Sequence, residues 1–211
     1  MNLEELVEIL KHAQHELPGE QSHLDVIPVN RLLNSQIADT SNYRKSAVAI
    51  YLFGENSSVK TILIERPEYD GHHSKQISFP GGKAEPEDID LVHTALREGF
   101  EEIGVKQSAS RLILPMSQVH IPVSRFSIQP YLFHLERKPI LFPDSREVAR
   151  IVEFDIKRLL DDEILIKKDL GIGNGLIQKD IPGYLVDEDT FVWGATGMIL
   201  SELKSLLRRY Y

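Results

Sequence analysis

The stretch FPGGKAEPEDIDLVHTALREGFEEIGV, residues 79–105, decides the fold because it joins a diglycine turn to an acidic run and then to a helical pattern. Apolar residues recur at helical spacing, and no proline interrupts the chain from about Asp88 to Ile103, so we predict a helix there. Gly104 follows as a natural C-terminal cap. The sequence therefore predicts a glycine loop that leads into an amphipathic helix.

The predicted helix carries three glutamates, Glu98, Glu101 and Glu102, on one narrow arc, because an α-helix has about 3.6 residues per turn. Like charges at these spacings destabilise an isolated helix, so we expect a cation to face them. Converging carboxylates form a hard, oxygen-rich site that suits Mg²⁺ or Mn²⁺. A charge run of this kind is also typical of a solvated helix face, which is the alternative on these residues alone.

Two neighbours of the glutamates fit metal-assisted chemistry. Gly82 allows backbone conformations closed to other residues, so that a carbonyl or an amide can approach a metal ion or a phosphate closely. Arg97 lies one residue away from the acidic arc, where it can pair with Glu101 or brace the glycine loop. These parts suit the attack of metal-activated water on a phosphoanhydride, with a carboxylate that does not touch the ion as the base.

The chain before the glycine loop divides into three predicted pieces. Residues 3–16 have helical spacing, and this helix should end at Pro18. Residues 22–33 have no strong period and are expected to form an extended lead-in. Residues 46–53 and 59–66 are β-rich apolar runs on either side of a Gly-Glu-Asn-Ser-Ser turn, which predicts a β-hairpin.

The chain after the predicted catalytic helix contains strands followed by a closing helix. The β-like pieces are residues 111–121, 128–136 and 147–156, with strand and loop over residues 164–194 and an amphipathic helix over residues 197–210. The order helix, strands, helix, strands, helix predicts an α/β fold with helices on both sides of a mixed sheet.

The composition limits the classes of function. At 211 residues the chain is long for one compact domain and short for two, so we predict one domain, residues 41–211, preceded by a helix and lead-in over residues 1–40. A formal net charge of −8 argues against a nucleic-acid partner, and the absence of cysteine excludes disulfides and thiolate nucleophiles. The acidic N-terminal helix does not resemble a signal peptide and no apolar run reaches membrane-spanning length, so we expect a cytoplasmic protein with no membrane partner. That helix is expected either to cover a sheet edge or to form a homodimer contact.

The opening stretch resembles the Nudix box, a pattern of glycine, acid and then Arg-Glu-hydrophobic-any-Glu-Glu-any-Gly-hydrophobic. Its slots are filled by Gly82, Asp88, Arg97, Glu98, Glu101, Glu102, Gly104 and Val105. Three features depart from the pattern: Asp88 stands where glutamate is usual, Gly99 occupies the hydrophobic slot, and the spacer from Asp88 to Arg97 is one residue longer than the common form. The resemblance implies a Nudix-type α/β/α sandwich around a mixed sheet and a pyrophosphohydrolase that depends on Mg²⁺ or Mn²⁺.

The longer spacer is similar to that of the coenzyme A pyrophosphatase branch of the Nudix hydrolases, in which FPGGK and ALRE recur in this register. The likeness runs from about residue 44 to residue 207. The upstream signature of the branch is matched at Arg66 and at residues 79–82. Its other members are replaced by Ile64, Pro67, Gly71 and Lys75.

The branch implies cleavage of the diphosphate linkage of coenzyme A, or of its acyl derivatives, to 3′,5′-ADP and 4′-phosphopantetheine. One alternative is a Nudix pyrophosphohydrolase that acts on another nucleoside diphosphate derivative, such as ADP-ribose or a dinucleotide. Another is a non-catalytic Nudix-fold protein that binds a nucleotide.

The resemblance and the residue chemistry together assign the catalytic and metal-binding roles. The predicted residues are Gly82, Arg97, Glu98, Glu101, Glu102 and Glu147. The glutamates of the box hold the ion, Gly82 shapes the loop beside it and Arg97 orients the helix. Glu147 is either the general base or an added metal ligand, because bases in the family often lie on a loop or strand outside the box.

Five further residues are candidates for substrate binding. Arg66, Lys75 and Arg125 are cations that suit phosphate, and a guanidinium can bind phosphate with two parallel hydrogen bonds. His73 is a candidate contact to the substrate or to a side chain that binds it. Phe79 either stacks on an adenine or packs in the core.

Overall fold

The computed structural model describes residues 2–28, 31, 33–68, 76–171 and 177–209. Its helices are α1 (Leu3–His12), α2 (Leu91–Ile103) and α3 (Gly194–Arg208). Its strands are β1 (Arg44–Glu55), β2 (Ser58–Glu65), β3 (Ile77–Ser78), β4 (Gly81–Lys83), β5 (Ser110–Pro115), β6 (Val119–Ile121), β7 (Phe126–Leu135), β8 (Arg150–Asp155), β9 (Leu165–Gly171), β10 (Ile177–Leu185) and β11 (Phe191–Trp193). In this part of the chain, no helix combines the length and the apolar character needed to cross a membrane.

Strand β1 lies at the centre of a mixed sheet made of β1 to β8. On one side it pairs in parallel with β7, from Arg44 opposite Phe126 to Leu52 opposite His134. On the other side it pairs antiparallel with β4 near its start and with β2 near its end. Strands β3 and β8 flank β2, strands β5 and β6 flank β7, and β9, β10 and β11 form a separate antiparallel sheet.

The mixed sheet separates two hydrophobic clusters, because successive side chains of a strand point to opposite faces. In β1, Tyr51 and Phe53 belong to the cluster beneath α2, whereas Ile50 and Leu52 belong to the cluster beneath α1 and α3. Both faces of the central strands are therefore covered, which explains their continuous apolar sequence. This arrangement confirms the predicted α/β/α sandwich with an added N-terminal helix.

The helix boundaries differ from the predictions by a few residues, for local reasons. Helix α1 ends at His12 and is followed by a 3₁₀ turn over Ala13–His15. Helix α2 starts at Leu91 rather than near Asp88, because Asp90 is its N-cap. Helix α3 begins at Gly194, earlier than its amphipathic pattern indicates.

The prediction of an extended lead-in over residues 22–33 is wrong at its start. A 3₁₀ helix spans Gly19–Val26 and packs against α3, where Val26 is fully buried and the Ser201 hydroxyl donates to the Ser22 carbonyl. The Glu202 carboxylate also accepts a hydrogen bond from the Gly19 amide at 3.0 Å. Contacts with α3, which is far away in the sequence, hold this segment in place. Its own sequence shows neither a helical nor a strand period, which is why the prediction missed it.

Candidate active site

Strand β4 and helix α2 form the frame of the site. β4 pairs antiparallel with β1, which places Gly82 opposite Ala47. Helix α2 begins after Asp90, whose carboxylate accepts a hydrogen bond from the His93 amide at 2.7 Å. The helix ends at Gly104, which adopts the left-handed conformation (φ = 77°) typical of a C-terminal glycine. The glycine loop and helix α2 are thus held against the same central strand.

Three carboxylates converge between α2 and the sheet. One oxygen each of Glu98, Glu102 and Glu147 lies within 4.8 Å of the other two. Glu102 is only 1% exposed, and its Oε2 accepts a hydrogen bond from the Gly81 amide at 2.7 Å. Two of these residues are supplied by the predicted helix and the third by a distant loop.

The electrostatics of this cluster favour a cation. Burial raises the pKa of the Glu102 carboxyl to about 8; the Gly81 amide and the Arg66 guanidinium oppose this shift, and the charges of Glu98 and Glu147 add to it. Burial likewise raises the pKa of Glu98. Carboxylates crowded in a poorly solvated place resist ionisation unless positive charge compensates them. An all-oxygen donor set of this kind fits a hard divalent ion.

A side chain at position 82 would have no room beside the Glu98 carboxylate. A Cβ atom added at Gly82 would lie 2.3 Å from Oε1 and 2.6 Å from Oε2 of the Glu98 carboxylate. Only a residue without Cβ allows the carboxylate to lie against the β4 backbone. The structure therefore brings together two residues that were predicted to belong to one metal site.

Arg97 braces the site from the outer side of α2. Its Nε and Nη2 atoms donate to the two carboxylate oxygens of Asp88 at 3.0 and 3.1 Å. Its Nη1 atom donates to Glu98 at 3.0 Å and to Glu101 at 2.8 Å, and Nη2 also donates to the Lys83 carbonyl at 3.1 Å. One guanidinium thus connects the glycine loop to two of the box glutamates.

Asp88 ties the loop after β4 to helix α2. Its carboxylate accepts hydrogen bonds from Arg97, from the Thr94 hydroxyl at 2.8 Å and from the Glu85 amide at 2.9 Å, and it contacts His93 Nδ1 at 3.0 Å. These partners, Arg97 foremost, hold the pKa of Asp88 well below its usual range. Although it is shorter than the usual glutamate, the aspartate still ties the loop to the first turns of α2.

Glu101 lies apart from the converging carboxylates. Its side chain is 52% exposed and pairs with Arg97, and the group of oxygens within 4.8 Å contains Glu98, Glu102 and Glu147 instead. Glu101 is close to the other two in sequence, but its position on α2 directs it towards solvent rather than towards the sheet. In this conformation Glu147, and not Glu101, completes the cluster.

The loop that carries Glu147 is attached to the end of α2. The Phe142 amide donates to the Ile103 carbonyl and the Asp144 amide donates to the Glu102 carbonyl, both at 2.9 Å. The Glu147 amide then donates to the Asp144 carbonyl at 3.0 Å. These bonds satisfy carbonyls that a helix end leaves without partners. Asp144 was missed by the sequence reasoning, although its Pro-Asp-Ser context is typical of a turn.

Arg66 and Arg125, two of the five predicted substrate-binding residues, lie next to different strands. Arg66, at the end of β2, lies close enough to Glu102 to act on its pKa. Arg125 is exposed just before β7, and its carbonyl accepts a hydrogen bond from the Arg44 amide at 2.8 Å. His73 and Lys75 lie outside the described residues.

Of the two roles predicted for Phe79, the structure shows core packing and not stacking on an adenine. Its ring is 1% exposed and belongs to the hydrophobic cluster beneath α1 and α3. A nucleobase cannot reach it there, so its alternative role in the core is the one observed.

The family follows from a match that includes this frame. A family model described as the NUDIX domain matches residues 43–170, which contain β1, the glycine loop, α2 and the Glu147 loop. The chain belongs to the NUDIX domain family. The predicted enzyme class, a Nudix pyrophosphohydrolase, is confirmed at this level. Nudix hydrolases generally need divalent metal ions, which agrees with the carboxylate cluster.

Relatives extend the likeness beyond the matched domain. A Nudix hydrolase of Yersinia enterocolitica, named NudL and described as uncharacterised, is 28% identical over 142 residues, 67% of this chain and 71% of the relative. The protein of the same name in Yersinia pestis is 27% identical over 179 residues, 83% of this chain and 85% of the relative.

Solved structures show the same fold at low sequence identity. The Nudix hydrolase RenU of Mycobacterium smegmatis superposes with a TM-score of 0.54 at 10% identity, covering 80% of this chain and 88% of RenU. A MutT/nudix family protein of Enterococcus faecalis gives 0.51 at 16% identity, covering 82% of this chain and 65% of the neighbour. These likenesses concern the fold.

Proposed function

We propose that this Nudix protein is a hydrolase that requires a divalent metal ion, Mg²⁺ or Mn²⁺, and cleaves the phosphoanhydride of a nucleoside diphosphate derivative. The observation that carries the proposal is the convergence of Glu98, Glu102 and Glu147 within 4.8 Å at the glycine loop. Carboxylates in that arrangement are costly to bury unless a cation joins them.

The residues that would hold the ion are Glu98 and Glu102, beside the backbone of Gly82, and Glu147 is close enough to act as the base without holding the ion. These ligands supply oxygen, the donor that Mg²⁺ and Mn²⁺ prefer. Glu101 remains a predicted ligand, but its carboxylate would first have to leave Arg97. A divalent ion bound there lowers the pKa of a coordinated water and neutralises charge on the phosphate oxygens.

The chain itself positions the reactants. Arg66 provides positive charge next to Glu102, where its guanidinium can bind a phosphate with two hydrogen bonds. Glu147 is exposed, whereas Glu102 is buried, so Glu147 is the member of the cluster that can take a proton from the attacking water. In the reaction the water oxygen bonds to one phosphorus, the bridging P–O bond breaks, and the departing phosphate keeps that bonding pair.

We propose coenzyme A or an acyl derivative as the substrate, with 3′,5′-ADP and 4′-phosphopantetheine or its acyl form as products. The support is the register of the glycine loop and the longer spacer between Asp88 and Arg97, two residues that the structure joins by hydrogen bonds. Two replaced positions of the branch signature, Gly71 and Lys75, lie outside the described residues. Ile64, a third, is buried in the core beneath α2.

The catalytic proposal is tested by Glu102→Gln. Hydrolysis of a panel of diphosphates with Mg²⁺ or Mn²⁺ should fall about 10²-fold or more, because the variant removes a charged oxygen from the proposed metal site. The matched control is Glu87→Gln. Glu87 is an exposed glutamate of the loop between β4 and α2, and its variant should keep wild-type rates. Equal rates for wild type and Glu102→Gln on every substrate would contradict the proposal and favour a non-catalytic nucleotide-binding protein.

The substrate is tested separately by comparing kcat/KM for coenzyme A, dephospho-coenzyme A, ADP-ribose and NADH. A preference for coenzyme A supports the proposed substrate. A strong preference for ADP-ribose or the dinucleotide would overturn the coenzyme A assignment and leave the proposed chemistry intact.

A further inference from the structure

Helix α2 contains a glycine in its interior, on the face that packs against β1. Gly99 fills the slot where the family pattern has a hydrophobic residue, although glycine is among the least favourable residues inside a helix. A Cβ atom added at Gly99 would lie 2.1 Å from the hydroxyl oxygen of Tyr51 and 3.0 Å from its Cζ atom. Tyr51 therefore occupies the space that a side chain at position 99 would fill.

Tyr51 is held firmly in this position. It is fully buried in the middle of β1, in the cluster beneath α2. Its ring packs against Phe133 of the neighbouring strand β7, with 5.7 Å between centroids and 33° between the ring planes. Because well-packed interiors offer little free volume, the ring cannot retreat from the helix without disturbing β1 and β7.

The Tyr51 hydroxyl lies close to the carboxylate cluster but contributes volume rather than a hydrogen bond. Among the described residues it has no hydrogen-bond partner at ordinary geometry, and the nearby Ser110 hydroxyl donates to the Lys106 carbonyl at 3.2 Å instead. Burial, and then the charge of Glu102, raise the pKa of Tyr51, so the hydroxyl stays neutral beside that carboxylate.

Gly99 is placed where it controls two of the three converging carboxylates. It lies three residues before Glu102, so these two share the buried face of α2, and it is bonded directly to Glu98 in the chain. Both carboxylates depend on a close approach of helix and sheet: Glu102 bonds the Gly81 amide at 2.7 Å, and Glu98 lies against Gly82. A helix displaced at Gly99 would lose both contacts.

We propose that Tyr51 is a positioning residue that sets the height of α2 above β1 through contact with Gly99 and so places Glu98 and Glu102 for the divalent ion. The family pattern has a hydrophobic side chain on the helix at position 99. In this chain Gly99 has none, and Tyr51 of the strand fills the space instead. The inference rests on the proposed metal-binding function of these carboxylates.

The test is a double-mutant cycle read out by Mn²⁺ binding to the metal-free protein, measured by calorimetry. Gly99→Ala should weaken Mn²⁺ binding about tenfold or more, because overpacking at this contact lifts the helix. Tyr51→Phe alone should weaken Mn²⁺ binding about threefold, because it removes the hydroxyl volume that holds α2 at its distance from β1. The double variant Tyr51→Phe, Gly99→Ala should recover to within about threefold of wild type, because the 2.1 Å contact is gone.

The control is Ala95→Gly, one turn earlier on the buried face of α2. It weakens the helix without filling the Tyr51 space, so thermal stability should fall while Mn²⁺ affinity is kept. If Gly99→Ala does not fold, recovery of folding and Mn²⁺ binding in the double variant supports the proposal. Unchanged Mn²⁺ affinity in a folded Gly99→Ala, or no recovery in the double variant, would overturn it. If the wild type itself does not bind Mn²⁺, the proposed function fails instead.

Discussion

The Glu98 carboxylate and the Gly82 backbone approach each other so closely that a single methyl group is enough to separate them. A Cβ at Gly82 would meet only the far end of a flexible side chain, and the backbone there does not require a left-handed conformation. A substitution can therefore be absorbed by movement of the carboxylate. We therefore expect Gly82 to matter more for the proposed metal site than for folding.

We predict that Gly82→Ala lowers kcat/KM for the best diphosphate substrate about 10²-fold, because the displaced Glu98 no longer points at the metal site. The unfolding temperature should change by no more than about 3 °C, since the collision is relieved by rotating one side chain. Activity assays and thermal unfolding check both parts. Gly171→Ala is the matched control, because a Cβ at Gly171 meets nothing within 4 Å. Wild-type activity in Gly82→Ala would contradict this role.

The N-terminal half of α2 and the glycine loop form one unit through the pair of Asp88 and Arg97. The side chain of Asp88 is 2% exposed and that of Arg97 16% exposed, so the pair is poorly screened by solvent. The same arginine also contacts Glu98, Glu101 and the Lys83 carbonyl. This pair holds helix α2 against the glycine loop without the help of a bound ion.

We predict that Asp88→Asn destabilises the metal-free protein by about 2–3 kcal/mol at pH 6, because it removes a charged partner from Arg97. The pKa of Asp88 is lower in the folded protein than its unfolded value of about 4, so its stabilisation is present above pH 4 and is lost as the pH falls below it. The difference in unfolding free energy between wild type and Asp88→Asn should therefore shrink from pH 6 to pH 3, measured by urea unfolding. A difference that is equal at both pH values would show that the charge of Asp88 is not responsible.

The two ends of the chain are joined in one core. Leu6, Val7 and Leu10 of α1 are buried in the same cluster as the apolar face of α3. The predicted division into an N-terminal segment, residues 1–40, and a domain, residues 41–211, remains a prediction, as does the homodimer. At the scale of the whole molecule, the N-terminal segment is packed against α3 and the sheet.

A buried carboxylate holds this arrangement together. Glu202 of α3 is fully buried and accepts hydrogen bonds from the amides of Gly19 and Ser117, both at 3.0 Å, and from the Ser117 hydroxyl. We predict that Glu202→Ala costs about 3 kcal/mol of unfolding free energy, because three partly buried donors lose their acceptor. Urea unfolding should show the loss, with Glu188→Ala, an exposed residue, as the control. The kcat of the folded variant should stay at the wild-type value, and a parallel loss of kcat would mean that this region also shapes the active site.

The sequence by itself determined the elements and the family. The continuous apolar run in β1, the turn before Ser58 and the cap of α2 at Gly104 are local signals, because backbone conformation responds to neighbouring residues. The Nudix box is likewise a pattern of residues close together in the sequence, so its spacing was enough to indicate the family and to place Gly82 in the loop before the helix.

Only the tertiary structure decided which carboxylates meet and how strongly they are perturbed. Glu147 reaches Glu98 and Glu102 because its loop bonds to the end of α2, whereas Glu101, adjacent in sequence to Glu102, faces solvent. The burial of Glu102 and Phe79 likewise depends on the sheet and on helices from other parts of the chain. Such contacts join residues far apart in sequence, and so no local periodicity encodes them.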